Sequence, residues 1–147
     1  MSPNLITRYF GGKDGLFLAA TRVEIPVSTS FAGDRSTLGA RLAASIVQRW
    51  FGTPGEDPLL VLQRASGERP QAAEALAAFL DMNSLEPLHR YLRESGLDDA
   101  DAHSRAAAID AFVLGVSTRR RVLRSELDAP ADLEAWLGAT IQRLADG

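Results

Sequence analysis

Apolar residues recur along this chain at steps of three and four, and no stretch shows the step of two expected of a half-buried strand. Leu38, Leu42, Ile46 and Trp50 set a helix from about Ser36, closed by Gly52 with Pro54 and Gly55 beyond. Asp57 followed by Pro58 is a cap-then-proline start for a short helix through Leu59, Leu60, Leu62 and Ala65, ending at Gly67. Pro70 opens a longer run through Leu76, Phe79, Leu80, Met82, Leu85, Leu88, Tyr91 and Leu92, which stops at Gly96. Pro87 lies inside that run. It lacks an N–H and its ring crowds the preceding turn, so a kink or a split is expected near Leu85.

Asp98, Asp99 and Asp101 begin the next helix and Arg119, Arg120, Arg121 and Arg124 sit near its end, the polarity that a helix dipole favours. Its apolar stripe is Ala106, Ile109, Phe112, Val113 and Val116. A last helix follows Pro130, with Leu133, Trp136, Leu137, Ile141 and Leu144 on one side. At the front, Ser2 caps and Pro3 opens a short helix that runs to Phe10 and stops at Gly11 and Gly12. A second helix starts near Lys13 or Asp14, carries Leu16, Phe17, Ala20 and Val23 on one face, and ends at Pro26. The fold class is therefore all-α.

Composition narrows the chemistry. With 46% apolar and 24% charged residues among 147, the chain has the make-up of one globular domain. The absence of cysteine excludes disulfides, thiol catalysis and cysteine-held metal sites. A net charge of −3 restricts any nucleic-acid contact to a local basic face. No signal-peptide pattern and no membrane-length apolar run are present, so a cytoplasmic protein with no membrane contact is expected.

The stretch "SPNLITRYFGGKDGLF", residues 2–17, gathers Ser2, Asn4, Thr7, Arg8, Tyr9 and Lys13 around a short helix and the turn after it. These side chains suit base edges and phosphates, and they equally suit the solvated face of an amphipathic helix that turns Leu5, Ile6 and Phe10 inward. The whole string resembles the recognition helix and following helix start of TetR-family transcriptional regulators. It shares a Ser cap, the aromatic pair Tyr9 and Phe10, a glycine turn, then Lys13, Asp14 and Leu16. The resemblance implies that Phe10 and Leu16 pack a small DNA-binding domain while Ser2, Asn4, Arg8, Tyr9 and Lys13 face DNA. Thr7 stands where many members carry a phosphate-facing tyrosine.

Residues 1–25 are then expected to be the remnant of a helix-turn-helix domain, and residues 26–147 a ligand-binding and dimerisation domain. The two helices that precede a recognition helix, roughly 11 residues each, would lie upstream of Met1. Family members commonly carry valine where Met1 stands, which fits a GTG codon read as a start, or else a natural or designed truncation. In this form the chain is expected not to bind an operator specifically, because a recognition helix needs its bracing partner.

The remainder resembles the family's C-terminal region through "ERPQAAEALAAFLD", "FVLGVSTRRRVLRSEL" and the final apolar helix. The resemblance implies a homodimer through the last two helices, with Phe112, Val116, Arg119, Leu133, Trp136, Leu137, Ile141 and Leu144 at the interface. It also implies a pocket for a small-molecule effector between the middle helices. Trp50, Phe79, Met82, Phe112 and Val116, with Gln63 and Asn83 as polar groups, are the expected lining, since such sites are mostly apolar with a few polar groups. Each of the large side chains suits a plain core equally well. The function expected is a ligand-responsive regulator, a repressor acting on operator DNA in its full-length form. The alternative is a free-standing helical protein that dimerises or binds a ligand without touching DNA itself.

No cofactor, catalytic set or metal is expected. Glu86 and His89 have the E-x-x-H spacing of helical di-iron ligands, but that scaffold needs two such pairs and the chain has one. Arg119, Arg120 and Arg121 are consecutive on a helix and point in different directions, which favours a solvated or interface-pairing helix end over a nucleic-acid patch.

Overall fold

A computed structural model describes residues 31–52, 57–125 and 131–147, and every regular element among them is helical. The first two helices of the sequence reading, and with them Ser2, Asn4, Thr7, Arg8, Tyr9 and Lys13, lie outside the described residues.

A 3-10 turn, Arg35–Thr37, leads into α1, Leu38–Gly52. Asp34 caps the turn by accepting from the Ser36 N–H at 2.9 Å, and the Ser36 hydrogen bonds hold its carboxyl below the ordinary value. Helix α2, Pro58–Ala65, starts as Asp57 and Pro58 predict, with Asp57 accepting from the Leu59 N–H at 3.0 Å. Helix α3, Pro70–Leu80, passes without a break through a π turn, Asp81–Leu85, into α4, Glu86–Glu94. The distortion falls where Pro87 calls for one. The Glu86 N–H reaches back to the Asp81 carbonyl in a wider loop, and the Asn83 side chain donates to the Phe79 carbonyl at 2.9 Å.

Gly96, at φ 110°, ends α4. Its N–H and that of Leu97 bond back to the Arg93 and Leu92 carbonyls, the two-bond C-cap in which glycine removes the Cβ penalty. Helix α5, Asp99–Ser117, is capped by Asp98 and runs into a second π turn, Thr118–Val122. Helix α6, Leu133–Asp146, is capped by Asp132.

Three apolar clusters hold the elements together. Leu62, Ala65, Ala72, Leu76 and Phe79 join α2 to α3. Leu38, Leu42, Leu88, Leu92, Ile109 and Ile141 join α1, α4, α5 and α6. Ala43, Val116 and Leu137 form a smaller cluster, with Trp50, Phe112 and Trp136 packed on it. Burying a side chain such as Leu137 or Ile141, both fully inaccessible, is worth about 1.5–3 kcal/mol.

The approach of α1 to α6 is set by a missing side chain. A Cβ on Gly39 would overlap the Gly138 carbonyl oxygen and lie 2.8 Å from the Gln142 Cβ. Gln142 ties the same spot, accepting from the Gly39 N–H at 2.9 Å and donating to the Arg35 carbonyl at 2.8 Å. A side chain of α6 thus satisfies a backbone donor in the first turn of α1, where no intrahelical partner exists.

Candidate functional site

The second and third clusters share Ile46 and Phe112, whereas between them and the α2–α3 cluster lies a cavity of about 140 Å³. Leu59, Leu76 and Leu80 form its wall on the α2–α3 side, and Leu42, Ile46, Leu88, Ile109, Val113 and Leu114 form most of the other. The α1 lining follows one helical stripe: Leu42, Ser45, Ile46, Arg49 and Trp50 are spaced three, four, seven and eight residues from the first. Helix α5 supplies Ile109, Asp110, Val113, Leu114 and Ser117 by the same geometry. Both stripes point inward, yet both carry polar members.

The polar members fall into two groups. Asp57 is the centre of the first: its Oδ1 accepts from Arg49 and its Oδ2 from Arg121, each at 2.7 Å. One carboxylate therefore caps α2 and ties it to α1 and to the π turn after α5. The side chains are mostly enclosed, Asp57 being 11% exposed, Arg121 15% and Arg49 18%, so solvent screens these pairs far less than surface ones. The Arg121 guanidinium also lies over the Trp50 ring, 5.6 Å from its centre. Two guanidinium groups face one carboxylate. The buried Arg49 Nε has no acceptor among the described residues, an omission that costs about 1–3 kcal/mol.

Asp110 and Ser84 form the second group, the hydroxyl donating to Asp110 Oδ1 at 2.6 Å. Burial raises the Asp110 carboxyl above the usual range and the charge of Asp81 adds to this, while the Ser84 bond opposes both. Gln63 spends its amide on the end of α5 and the first residue of the π turn. It donates to Thr118 Oγ1 at 2.7 Å and accepts from Ser117 Oγ at 2.9 Å.

Of the side chains that the sequence suggests for a pocket, Trp50 and Gln63 line this cavity. Phe79 is buried in the α2–α3 cluster, Val116 in the cluster with Ala43 and Leu137, and Phe112 packs edge-on against Trp136 at 5.6 Å. The π turn swings Met82 outward, leaving it 69% exposed, and Asn83 is held by the Phe79 carbonyl. Arg49, Arg121, Asp110 and Ser84 were not anticipated. The signal for Arg49 and Asp110 was present: each is a polar residue on the core-facing stripe of a helix.

Among the residues expected at a subunit interface, Val116, Leu137 and Ile141 are inside the single chain, at 4%, 0% and 0% exposure. They are used in joining α1, α5 and α6. Phe112, Leu133, Trp136 and Leu144 are half-buried and Arg119 is exposed. His89 turns away from Glu86 as a partner: its Nε2 meets Asp99 Oδ1 at 3.0 Å and its ring stands edge-on to His103. No helix among the described residues is long and apolar enough to cross a membrane.

The described helices thus border a mostly apolar cavity that carries a few charged groups. Residues 36–144 match the family model of the tetracyclin repressor-like C-terminal domain, and the chain belongs to this family of transcriptional regulators, whose C-terminal domains are regulatory and not catalytic. No curated protein and no solved structure matches the chain.

Proposed function

We propose that the protein is a ligand-responsive transcriptional repressor whose effector occupies the cavity between α1, α2, α3 and α5. The observation that carries this reading is the cavity itself, an apolar chamber with charged groups at core-facing positions, inside a domain of a regulator family. Charged groups at core-facing positions cost stability unless they are paired, so their retention beside a cavity supports a binding role. Ser2, Asn4, Arg8, Tyr9 and Lys13 are the DNA-facing residues of this proposal, with Thr7 beside them. Homodimerisation uses the outward parts of α6 and of the π turn after α5, where Leu133, Trp136, Leu144 and Arg119 remain accessible to a second copy.

The coupling runs through Asp57 and Gln63. Both tie α2 to α1 or α5 at the rim of the cavity, so an occupant that displaces them shifts α1 against α5. Gel shift on the DNA flanking the protein's own gene tests the proposal, using the chain as it stands and a chain extended in frame upstream of Met1. The extended chain is expected to bind. Arg8→Ala is expected to cost ~1–3 kcal/mol and relax sequence preference, and Lys13→Ala to weaken all sequences alike and lower the salt slope by about one. Leu114→Trp, which fills the cavity, is expected to retain DNA binding and lose its response to effector. Equal binding by Arg8→Ala and the parent would contradict the DNA assignment.

A further inference from the structure

We infer that the occupant of this cavity is a small organic anion, a monocarboxylate with an apolar body of about one ring. The inference rests on reading the cavity as the effector site. Its volume of about 140 Å³ is close to the ~150 Å³ of an apolar cavity that takes up benzene, which bounds the body. The walls are mainly leucine, isoleucine and valine, which suits a ring or a short branched chain better than a sugar or a nucleotide.

The charge follows from counting donors against acceptors. Arg49 and Arg121 both line the cavity, both give one N–H to Asp57, and among the described residues no second carboxylate joins them in the hydrogen bonds formed there. Among the described residues of this group one positive charge is left over. The buried Arg49 Nε, without an acceptor among the described residues, supplies a donor for which a carboxylate oxygen is the strongest partner. The other acid of the lining, Asp110, precedes Arg121 by eleven residues on α5 and its π turn, roughly 16 Å along a helix. An anion seated on the arginines is therefore remote from it. A cation there would face two guanidinium groups.

Isothermal titration of the full chain at neutral pH with benzoate, benzamide, benzylamine and toluene tests this. Benzoate is expected to bind at least tenfold more tightly than benzamide, about 1.4 kcal/mol, and benzylamine least of all. Arg49→Met is expected to bring benzoate and benzamide within about threefold of each other. Asp57→Asn keeps the cap on α2 through its carbonyl oxygen and releases Arg121, so it is expected to tighten benzoate several-fold and leave benzamide unchanged. This second variant decides the matter if the first does not fold. Equal affinity for benzoate and benzamide in the parent chain, or no tightening in Asp57→Asn, overturns the anion and leaves the cavity as a binding site. If none of the four probes binds, the cavity reading fails and the anion with it.

Discussion

Asp57 accepts from three donors on two oxygens, and each donor belongs to a different element: the Leu59 N–H in α2, Arg49 in α1, and Arg121 after α5. Its cap role is legible from the Asp-Pro pair alone. Its ion pairs are not, because Arg121 is 64 residues away in sequence and stands in a run of three arginines that could face any direction. Asp110 is the opposite case, an acid on a buried stripe whose cost has a pH signature. Its native carboxyl keeps a proton to higher pH than the unfolded chain does, so its contribution to stability falls as pH rises through the window above the usual carboxylate range. Asp110→Asn retains an acceptor for Ser84 and removes the charge. The variant is expected to unfold at higher denaturant than the parent at neutral pH, the gain shrinking toward zero by about pH 3. Chemical denaturation at several pH values checks this, and a gain independent of pH would contradict it. Asp34 titrates with the other sign: fully exposed and held low by Ser36, it contributes stability above the usual carboxylate range that is lost in acid. Comparing parent with variant at each pH cancels it.

At the scale of elements, caps and prolines foretell most boundaries. Gly52, Gly96, Pro58 and Pro70 fall at helix ends as the pattern predicts, and Pro87 marks the distortion between α3 and α4. What the pattern leaves open is the form of that distortion. A π turn keeps the chain helical, rotates Met82 to the surface, and brings Ser84 to Asp110. The close crossing of α1 and α6 is also hidden in the sequence, since Gly39 and Gly138 read as ordinary glycines inside helices. Gly39→Ala is expected to lower stability by ~1–3 kcal/mol through overlap with backbone of α6, against a gain in helix propensity of about 1 kcal/mol. Gly138→Ala, whose Cβ would meet its neighbours at 3.4 Å or more, is expected within ~1 kcal/mol of the parent. Equal losses in thermal denaturation would contradict the asymmetry.

At the scale of the molecule, the α2–α3 cluster faces the other two, which share Ile46 and Phe112, across a cavity whose lining carries polar residues. Hydrophobic periodicity finds the helices and the fold class, yet it does not say which apolar side chains meet and which leave a gap. Trp50 borders the gap, whereas Phe79 and Val116 are buried in core and Phe112 packs half-buried on Trp136, although all four look alike in sequence. The central claim is that the gap is an internal binding site. The most direct measurement is a set of intermolecular nuclear Overhauser effects from toluene to the methyl-labelled protein. The account predicts contacts from toluene to the methyls of Leu42, Ile109, Val113 and Leu114. Contacts confined to the exposed Met82 and Leu123, or none at all, would contradict it.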